Sequence, residues 1–144
     1  MLYDALDDTA GATAGDLLSA YARELSAALE GADAAAVADD TGVDEATVAA
    51  MASGDPDAVA AVRLEDAAAV LERSAGVPAH DIDYEVRDHL MMGMMTAILD
   101  ADTIAAEIDA DLTGQEVQQA LEGRTRLTLG ELAEMQALIV DRSP

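Results

Sequence analysis

Apolar residues recur at intervals of three and four residues along nearly the whole chain, and this spacing restricts the folds available to it. Residues spaced in this way lie on one face of an α-helix, which has about 3.6 residues per turn. A half-buried β-strand requires strict alternation of apolar and polar residues instead, and no stretch alternates convincingly. The sequence therefore predicts an all-α protein.

Glycine residues mark where the predicted helices end in the first half of the chain. Gly31, Gly42 and Gly54 each stand just after a predicted helix, as expected of residues that adopt a left-handed conformation at helix ends. Thr13 and Asp33 are polar residues that can cap the helices following them. The predicted helices of this half cover residues 14–30, 33–40, 44–53 and 63–75.

The same helical pattern begins again in the second half. Thr113 and Thr128 are each followed three residues later by a glutamate, which is the pattern of an N-terminal capping box. Gly123 ends the helix that Thr113 begins. The predicted helices of this half begin at Asp81 or Asp83, Asp102, Thr113 and Thr128, and the first of them extends to Leu99.

The second half also resembles the first in sequence. When position 46 is aligned with position 115, ATVAAMASG over 46–54 matches QEVQQALEG over 115–123, and a valine and the final glycine coincide. A duplication predicts two four-helix units packed into one compact body. The alternative is that alanine-rich helices match one another easily. The predicted division is an N-terminal tail over 1–12, a first unit over 13–80 and a second unit over 81–144.

The amino-acid composition constrains both the core and the environment of the protein. Apolar residues make up 51% of the chain, yet it has no Phe or Trp and only three Tyr, so Ala, Val, Leu, Ile and Met must form the core. Seven basic residues, all Arg, oppose 30 carboxylates, which gives a formal net charge of −23. This balance is typical of halophiles, in which concentrated salt screens carboxylates and strengthens apolar burial. The alternative is an acidic mesophilic protein.

The sequence lacks the features that define several classes of protein. The opening MLYDALDD has neither the basic nor the apolar region of a signal peptide. The uncharged run over 90–99 is shorter than the roughly 20 residues that a transmembrane helix needs. We therefore expect a cytoplasmic protein with no membrane partner. Because cysteine is absent, disulfides, thiolate metal sites and cysteine nucleophiles are excluded.

Six residues of the first unit have the spacing of a helix-turn-helix motif, and these are Val37, Ala38, Gly42, Val43, Val48 and Met51. In that motif a small residue lets two helices approach, a glycine forms the turn, and apolar residues fix the second helix to the core. Over residues 14–76 this pattern resembles the lambda-repressor-like family of phage repressors, which implies a fold of four or five short helices.

The second unit resembles the same family over residues 84–141. It differs by two additional turn residues and by Asp109, which stands where the family usually has glycine. Taken whole, the chain is similar to an uncharacterised haloarchaeal protein family of unknown function, which implies a habitat and no activity. The second match depends on Ile104, Ala105, Ile108, Val117 and Gly123.

The family resemblance implies that the second helix of each motif binds the major groove of double-stranded DNA. In the first unit this helix would present Asp44, Glu45 and three alanines, none of which donates to phosphate. In the second unit it would present glutamines, which can pair with adenine, followed by arginines, which can contact phosphate. High salt would screen the repulsion between DNA and this acidic chain. The candidate DNA-binding residues are Gln115, Gln118, Gln119, Arg124 and Arg126.

The methionine-rich segment over 88–99 is the first candidate interaction surface. Its helix is apolar around most of its circumference, which predicts a buried central helix with methionines filling gaps. The alternative is an adaptable groove for a partner helix, formed by Met91, Met92 and Met95. The residues predicted to share its core stripe are Val86, Leu90, Met94 and Ile98.

The last predicted helix is the second candidate interaction surface. It has more apolar residues than a single core contact would bury, which predicts a homodimer interface; without that interface the chain is a monomer. One stripe of this helix consists of Leu129, Leu132, Met135 and Ile139, whereas Leu138 and Val140 lie on other faces. The candidate interaction residues are Leu132, Met135, Leu138 and Ile139.

Residues 109–120 partly match a calcium-binding loop, with Asp109, Asp111 and Thr113 at the first three ligand positions. The last position, which should be a bidentate glutamate, is Ala120. In so acidic a chain we interpret this match as chance. No metal site is therefore predicted.

His80 and His89 flank the start of a helix and are predicted to be surface residues rather than metal ligands. The sequence contains no HExxH motif, no glycine-rich phosphate loop and no serine with a plausible histidine partner. We therefore expect neither an enzyme nor a cofactor.

Two functions remain from different classes. The first is a small halophilic transcriptional regulator that binds double-stranded DNA through its second unit. The second is a scaffold or interaction module that kept the fold and binds a protein partner instead.

Overall fold

The computed structural model describes residues 1–6 and 8–144. Within these ranges the protein is all-helical, as predicted, and has no β-strand. A short 3₁₀ turn over Leu2–Asp4 precedes the first α-helix. The α-helices are α1 (Ala14–Ala28), α2 (Ala34–Thr41), α3 (Glu45–Ala52), α4 (Pro56–Val59), α5 (Leu64–Ala75), α6 (Ala79–Ala97), α7 (Ala101–Glu107), α8 (Gly114–Leu121) and α9 (Leu129–Arg142).

Threonine capping boxes begin three of these helices. Thr113 Oγ1 accepts a hydrogen bond from the Glu116 backbone N–H at 3.1 Å, and the Glu116 carboxylate accepts one from the Thr113 N–H at 3.0 Å. Thr128 and Glu131 form the same pair of bonds at 3.1 and 2.9 Å. Each box satisfies backbone donors that lack a partner at a helix N-terminus. Both predicted boxes are confirmed, and Thr13 begins α1 in the same way.

Helices α1, α5, α6 and α9 form the centre of the fold. α1 packs against α9 and α5 against α6, while α6 also packs against α9. The pair α2 and α3 lies against α1 and α5, and the pair α7 and α8 lies against α6 and α9. Aliphatic residues from both halves of the chain therefore belong to one continuous hydrophobic core.

Backbone hydrogen bonds join the N-terminal ends of α5 and α9. Arg63 and Thr128 form an isolated antiparallel β-bridge. The Leu64 N–H donates to the Leu127 carbonyl at 2.7 Å, and the Leu129 N–H donates to the Val62 carbonyl at 2.8 Å. The four flanking apolar residues are buried, so the bridge fixes these two helices within the core.

One buried polar network connects α1, α9 and the N-terminal turn. The Tyr21 hydroxyl donates a hydrogen bond to Gln136 Oε1, and Gln136 Nε2 donates to the Tyr3 carbonyl at 3.0 Å. Burial, followed by the nearby Glu24 carboxylate, raises the pKa of Tyr21. The tyrosine is therefore a neutral donor across the physiological pH range. The network satisfies polar groups that would otherwise be costly to bury.

Three details of the helix prediction are wrong. Residues 56–59 form the helical turn α4, where a loop was expected, because Asp55 caps the turn and Pro56 occupies its first position. The long helix begins at Ala79, before either predicted aspartate. The same helix ends at Ala97, before the predicted Leu99. Ile98, which was predicted to lie in the core stripe, is 91% exposed.

Within the described ranges, no helix combines the length and apolar character needed to cross a membrane.

Candidate functional site

Helix α8 presents the predicted glutamines on its outer side. Val117, Ala120 and Leu121 are buried and hold the helix against the core. Gln115 and Gln118 are exposed, as their spacing from these residues requires. Gln119, the third predicted glutamine, is only partly exposed.

Arg124 and Arg126 lie in the loop between α8 and α9, and both side chains are exposed. Arg124 Nε is 3.5 Å from a Glu122 carboxylate oxygen, and Arg126 Nε is 3.9 Å from one of Glu65. Glu122 also accepts a hydrogen bond of 2.9 Å from Gln118 Nε2. Each arginine is therefore accompanied by a carboxylate, and the surface lacks a net positive charge in this region.

A cleft of about 550 Å³ separates this loop from the first half of α6. The exposed Tyr84 and His80 line one side of it, and Arg124 and Arg126 line the other. Because acidic residues line the same cleft, its positive and negative side chains balance approximately. The two arginines thus border a concave surface.

Arg87, which also lines the cleft, has a structural role. Its side chain is buried, its Nε donates to Asp83 Oδ1 at 2.5 Å, and its Nη1 donates to the Ala120 carbonyl. Ala120 is in the last turn of α8, where a cation interacts favourably with the helix dipole and satisfies a terminal carbonyl. Arg87 therefore fixes α8 to α6.

The outer face of α3, the DNA-facing helix that the sequence predicts in the first half of the chain, is unsuited to anionic ligands. Asp44, Glu45, Ala46 and Ala49 are exposed on and beside α3, and Ala50 is partly exposed. These side chains offer two carboxylates and small apolar groups. They provide no donor for phosphate.

The most exposed large apolar residues of the described chain occur on α6 and at its C-terminal end. Tyr84, Met92, Met95 and Ile98 are 63%, 60%, 79% and 91% exposed. Met91 is half-buried beside them. We call these five residues the outward α6 face. Its counterpart on the inner side of the helix consists of Ile82, Val86, Leu90 and Met94, which are buried.

Ile98 adopts an unusual backbone conformation at the end of α6. Its φ angle is +56°, and among the described non-glycine residues it alone has a positive φ. β-Branched residues are disfavoured in this left-handed region. An exposed isoleucine gains nothing from burial in the monomer that would offset the strain. The sequence prediction missed this feature because the apolar periodicity continues past the end of the helix.

The structure buries most of the apolar residues predicted to form an interface on α9. Leu132, Met135 and Ile139 are core residues, and Leu138 is half-buried. Helix α9 packs against both α1 and α6, so two intramolecular contacts accommodate its apolar surplus. This burial accounts for the surplus within one chain, and a homodimer interface on α9 stays a prediction. Of the predicted interaction residues, Met92 and Met95 are exposed at the surface.

The acidic loop before α8 has structural roles. Thr113 Oγ1 caps α8, and the Glu134 carboxylate accepts a hydrogen bond of 3.1 Å from the Ala110 N–H.

His89 stacks on Tyr3, with ring centroids 4.7 Å apart. Across residues 1–6 and 8–144, no group of three or more His, Cys, Asp or Glu side chains is arranged to hold a metal ion.

No curated protein and no solved structure is significantly similar to this chain. The helix-turn-helix interpretation and the halophilic habitat stay predictions. A family model matches residues 17–142, which is most of the chain, and the protein therefore belongs to the Family of unknown function (DUF5791).

Proposed function

We propose that this protein is a non-enzymatic interaction module that binds a protein partner through the outward α6 face. The observation that carries the proposal is the exposure of Met92, Met95 and Ile98 together with Tyr84. Apolar side chains that cluster on a surface mark interaction sites more often than scattered ones do. Methionine is also suited to such a surface because its flexible side chain adapts to different partners.

A duplicated helix-turn-helix scaffold is part of the same proposal. In the first half, α3 packs on α1 and α2 packs on α5. In the second half, α8 packs on α6 and α7 packs on α9, which is the same arrangement. The β-bridge between Arg63 and Thr128 joins matching positions, each one residue before the last helix of its half. These parallels support two related units.

The connections within the two helix pairs differ. Residues 42–44 connect α2 to α3, and Gly42 has the left-handed φ of +77° that a short turn needs. Residues 108–113 make the longer connection between α7 and α8. The first pair thus agrees better with a helix-turn-helix motif, although its second helix presents an acidic face.

Electrostatics favours a protein partner over DNA. Most nucleic-acid affinity arises from cations that replace the counterions of phosphate. Here the formal net charge is −23, and Arg124 and Arg126 each lie beside a carboxylate. The outward α6 face binds by apolar burial instead, which concentrated salt strengthens.

Methionine oxidation tests the proposal with side chains that the protein already has. Peroxide converts accessible methionine to the sulfoxide, so the oxidation rates of Met92 and Met95 report whether the face is covered. We expect both to be protected in native cell extract relative to purified protein. The buried Met51 and Met135 serve as slow internal references in both samples.

Three outcomes of this footprint are distinguishable. Protection in extract alone supports a different protein as the partner. Protection that grows with the concentration of purified protein indicates a second copy of the chain. If Met92 and Met95 are oxidised as fast in extract as in purified protein, and at the same rate at every protein concentration, the proposal is contradicted.

DNA binding by the second unit is the second candidate function. The exposure of Gln115, Gln118, Arg124 and Arg126 around α8 favours it, because reading bases and contacting phosphates both require accessible side chains. The test is fluorescence anisotropy with mixed-sequence duplex DNA in about 2 M KCl, where the charge repulsion is screened over a few Å.

A matched control separates specific DNA contact by these residues from general charge effects. The variant Arg124→Ala/Arg126→Ala should lose binding, whereas Arg23→Ala/Arg142→Ala, which removes the same charge elsewhere, should retain it. No binding by folded wild-type protein at micromolar concentration would exclude this candidate.

A further inference from the structure

We infer that the partner of the outward α6 face is an amphipathic helix with basic residues along the edges of its apolar side. This inference rests on the proposed function, since it names the partner class for the same surface. Two independent features of the face carry it: the helical geometry of its apolar residues and the sign of the charges beside them.

The apolar residues form a stripe whose dimensions fit a helix. Tyr84, Met91, Met92 and Met95 lie within roughly a third of the circumference of α6, given about 100° per residue. From Tyr84 to Met95 the stripe is about 17 Å long, at about 1.5 Å per residue. The exposed Ile98 directly follows the last residue of the helix. A partner helix of about three turns would cover this length with residues spaced at three and four.

The charged residues that α6 itself contributes beside the stripe are all acidic. Asp81, Glu85 and Asp88 occupy the same side of α6 by helical spacing, and Asp81 and Glu85 are exposed. Within the described ranges, none of the three forms an ion pair. The single arginine of α6, Arg87, is buried and bound to Asp83. Helix α6 therefore supplies no free cation to the face, and Arg124 and Arg126 across the cleft from Tyr84 each lie beside a carboxylate.

Unpaired carboxylates beside an apolar stripe select for a cationic partner. Lysine and arginine side chains on the edges of an amphipathic helix would lie opposite these carboxylates while its apolar side covers the methionines. Methionine adapts to different apolar side chains, so shape imposes little further selection. Apolar burial then supplies the affinity, and charge and helical periodicity determine which apolar helices are preferred.

A second copy of the chain fits the same face less well. In an isologous pair the face meets itself, so Asp81, Glu85 and Asp88 would approach the same residues of the other copy. Each copy also has a formal net charge of −23, and like charges oppose association. A basic helix meets neither obstacle.

Two labelled peptides test the inference by fluorescence anisotropy. One is an 18-residue amphipathic helix of Leu and Lys, and the other has Glu in place of every Lys with the same apolar side. Titrations use the lowest KCl concentration at which circular dichroism shows full helicity of the protein. We expect the lysine peptide to bind at least tenfold more tightly than the glutamate peptide.

Variants of the protein separate the face from its general acidity. Met92→Gln/Met95→Gln removes apolar contact without changing charge and should weaken lysine-peptide binding at least tenfold. Ala46→Gln/Ala49→Gln places the same glutamines on the exposed side of α3 and should leave binding unchanged. Asp81→Asn/Glu85→Gln/Asp88→Asn should reduce the preference for lysine over glutamate.

The results also distinguish the inference from the proposed function. If Met92→Gln/Met95→Gln binds the lysine peptide as well as wild type does, the attraction is non-specific and the inference is overturned. If neither peptide binds while Met92 and Met95 are protected in extract, the face has a partner of another class. Light scattering that shows a dimer lost in the methionine variant would identify a second copy as the occupant.

Discussion

Gly93 of α6 lies directly against Ile139 of α9, where these two central helices pack together. A Cβ atom added at Gly93 would be 2.7 Å from Ile139 Cγ2, which is shorter than any normal carbon–carbon contact. Gly93 is therefore required for packing, although glycine is normally unfavourable inside a helix. The contact also explains why Ile139 is buried within its own chain.

Gly93→Ala should destabilise the protein by about 1 kcal/mol. Overpacking a filled core costs about 1–3 kcal/mol, and the better helix propensity of alanine offsets roughly 1 kcal/mol of this. Urea unfolding at constant KCl measures the change. Gly15→Ala is the control, because a Cβ there meets only Thr13 Oγ1 at 3.7 Å, and it should not destabilise. Equal stabilities of the two variants would contradict the assigned packing role.

Ile98→Gly should stabilise the isolated protein by about 1 kcal/mol. Glycine adopts the observed φ of +56° without the steric cost of a β-branched side chain, and almost no burial is lost at a site that is 91% exposed. Met95→Gly, at an exposed position within the helix, should instead lose about 1 kcal/mol. Thermal unfolding in fixed salt distinguishes the two. A lower melting temperature for Ile98→Gly would show that the isoleucine stabilises the monomer.

Glu24 should make the protein less stable as pH rises from mildly acid to neutral. Burial raises the pKa of this carboxyl above its ordinary value near 4.5, and one of its oxygens is buried without a hydrogen-bond partner. Between the unfolded and folded pKa values the folded state holds a proton that the unfolded state has released. Stability is therefore greatest below the unfolded pKa and declines as pH rises through the folded pKa.

Glu24→Gln tests this linkage because it keeps the shape and removes the ionisation. The variant should be more stable than wild type at pH 7, and the difference should shrink toward pH 4. Urea midpoints over this pH range provide the measurement. Lowered pKa values at Asp16 and Asp100 act in the opposite direction, but only as pH falls below about 4, outside this window. A constant difference across the range would refute the assignment.

The protein should lose helicity as KCl falls from molar to millimolar concentration. The proposed halophilic character rests on 30 carboxylates, no lysine and a core with little aromatic surface. Salt screens the repulsion among carboxylates and strengthens apolar burial. Its removal therefore lowers the stability of the fold through both effects. Circular dichroism at 222 nm monitors the transition, with sucrose at low salt as a control for burial alone. A melting temperature independent of KCl would contradict the proposed habitat.

The sequence predicted local features better than distant contacts. Capping at Thr113 and Thr128 depends on residues within one helical turn, and both caps were predicted correctly. Tyr21 and Gln136 are 115 positions apart, and no local pattern indicates that they share a hydrogen bond. The short helix α4 could have been anticipated from Asp55 followed by Pro56, a typical start of a helix.

The candidate surfaces show the same difference between features set by local spacing and features set by tertiary packing. Exposure of Gln115 and Gln118 followed from their spacing relative to the buried Val117. Exposure of Ile98 could not be predicted, because apolar periodicity does not reveal where a helix ends without a glycine or proline. Burial of Met135 depends on α9 packing between α1 and α6, which only the tertiary structure defines.

Site-specific photocrosslinking in living cells tests the central claim most directly. A benzophenone amino acid replaces Met95 in one variant and Ala49, exposed on α3, in a matched control. We expect a discrete crosslinked product from position 95, none from position 49, and loss of that product when Met92→Gln is added. Crosslinking at neither position, or equally at both, would contradict the assignment of the outward α6 face as a binding surface.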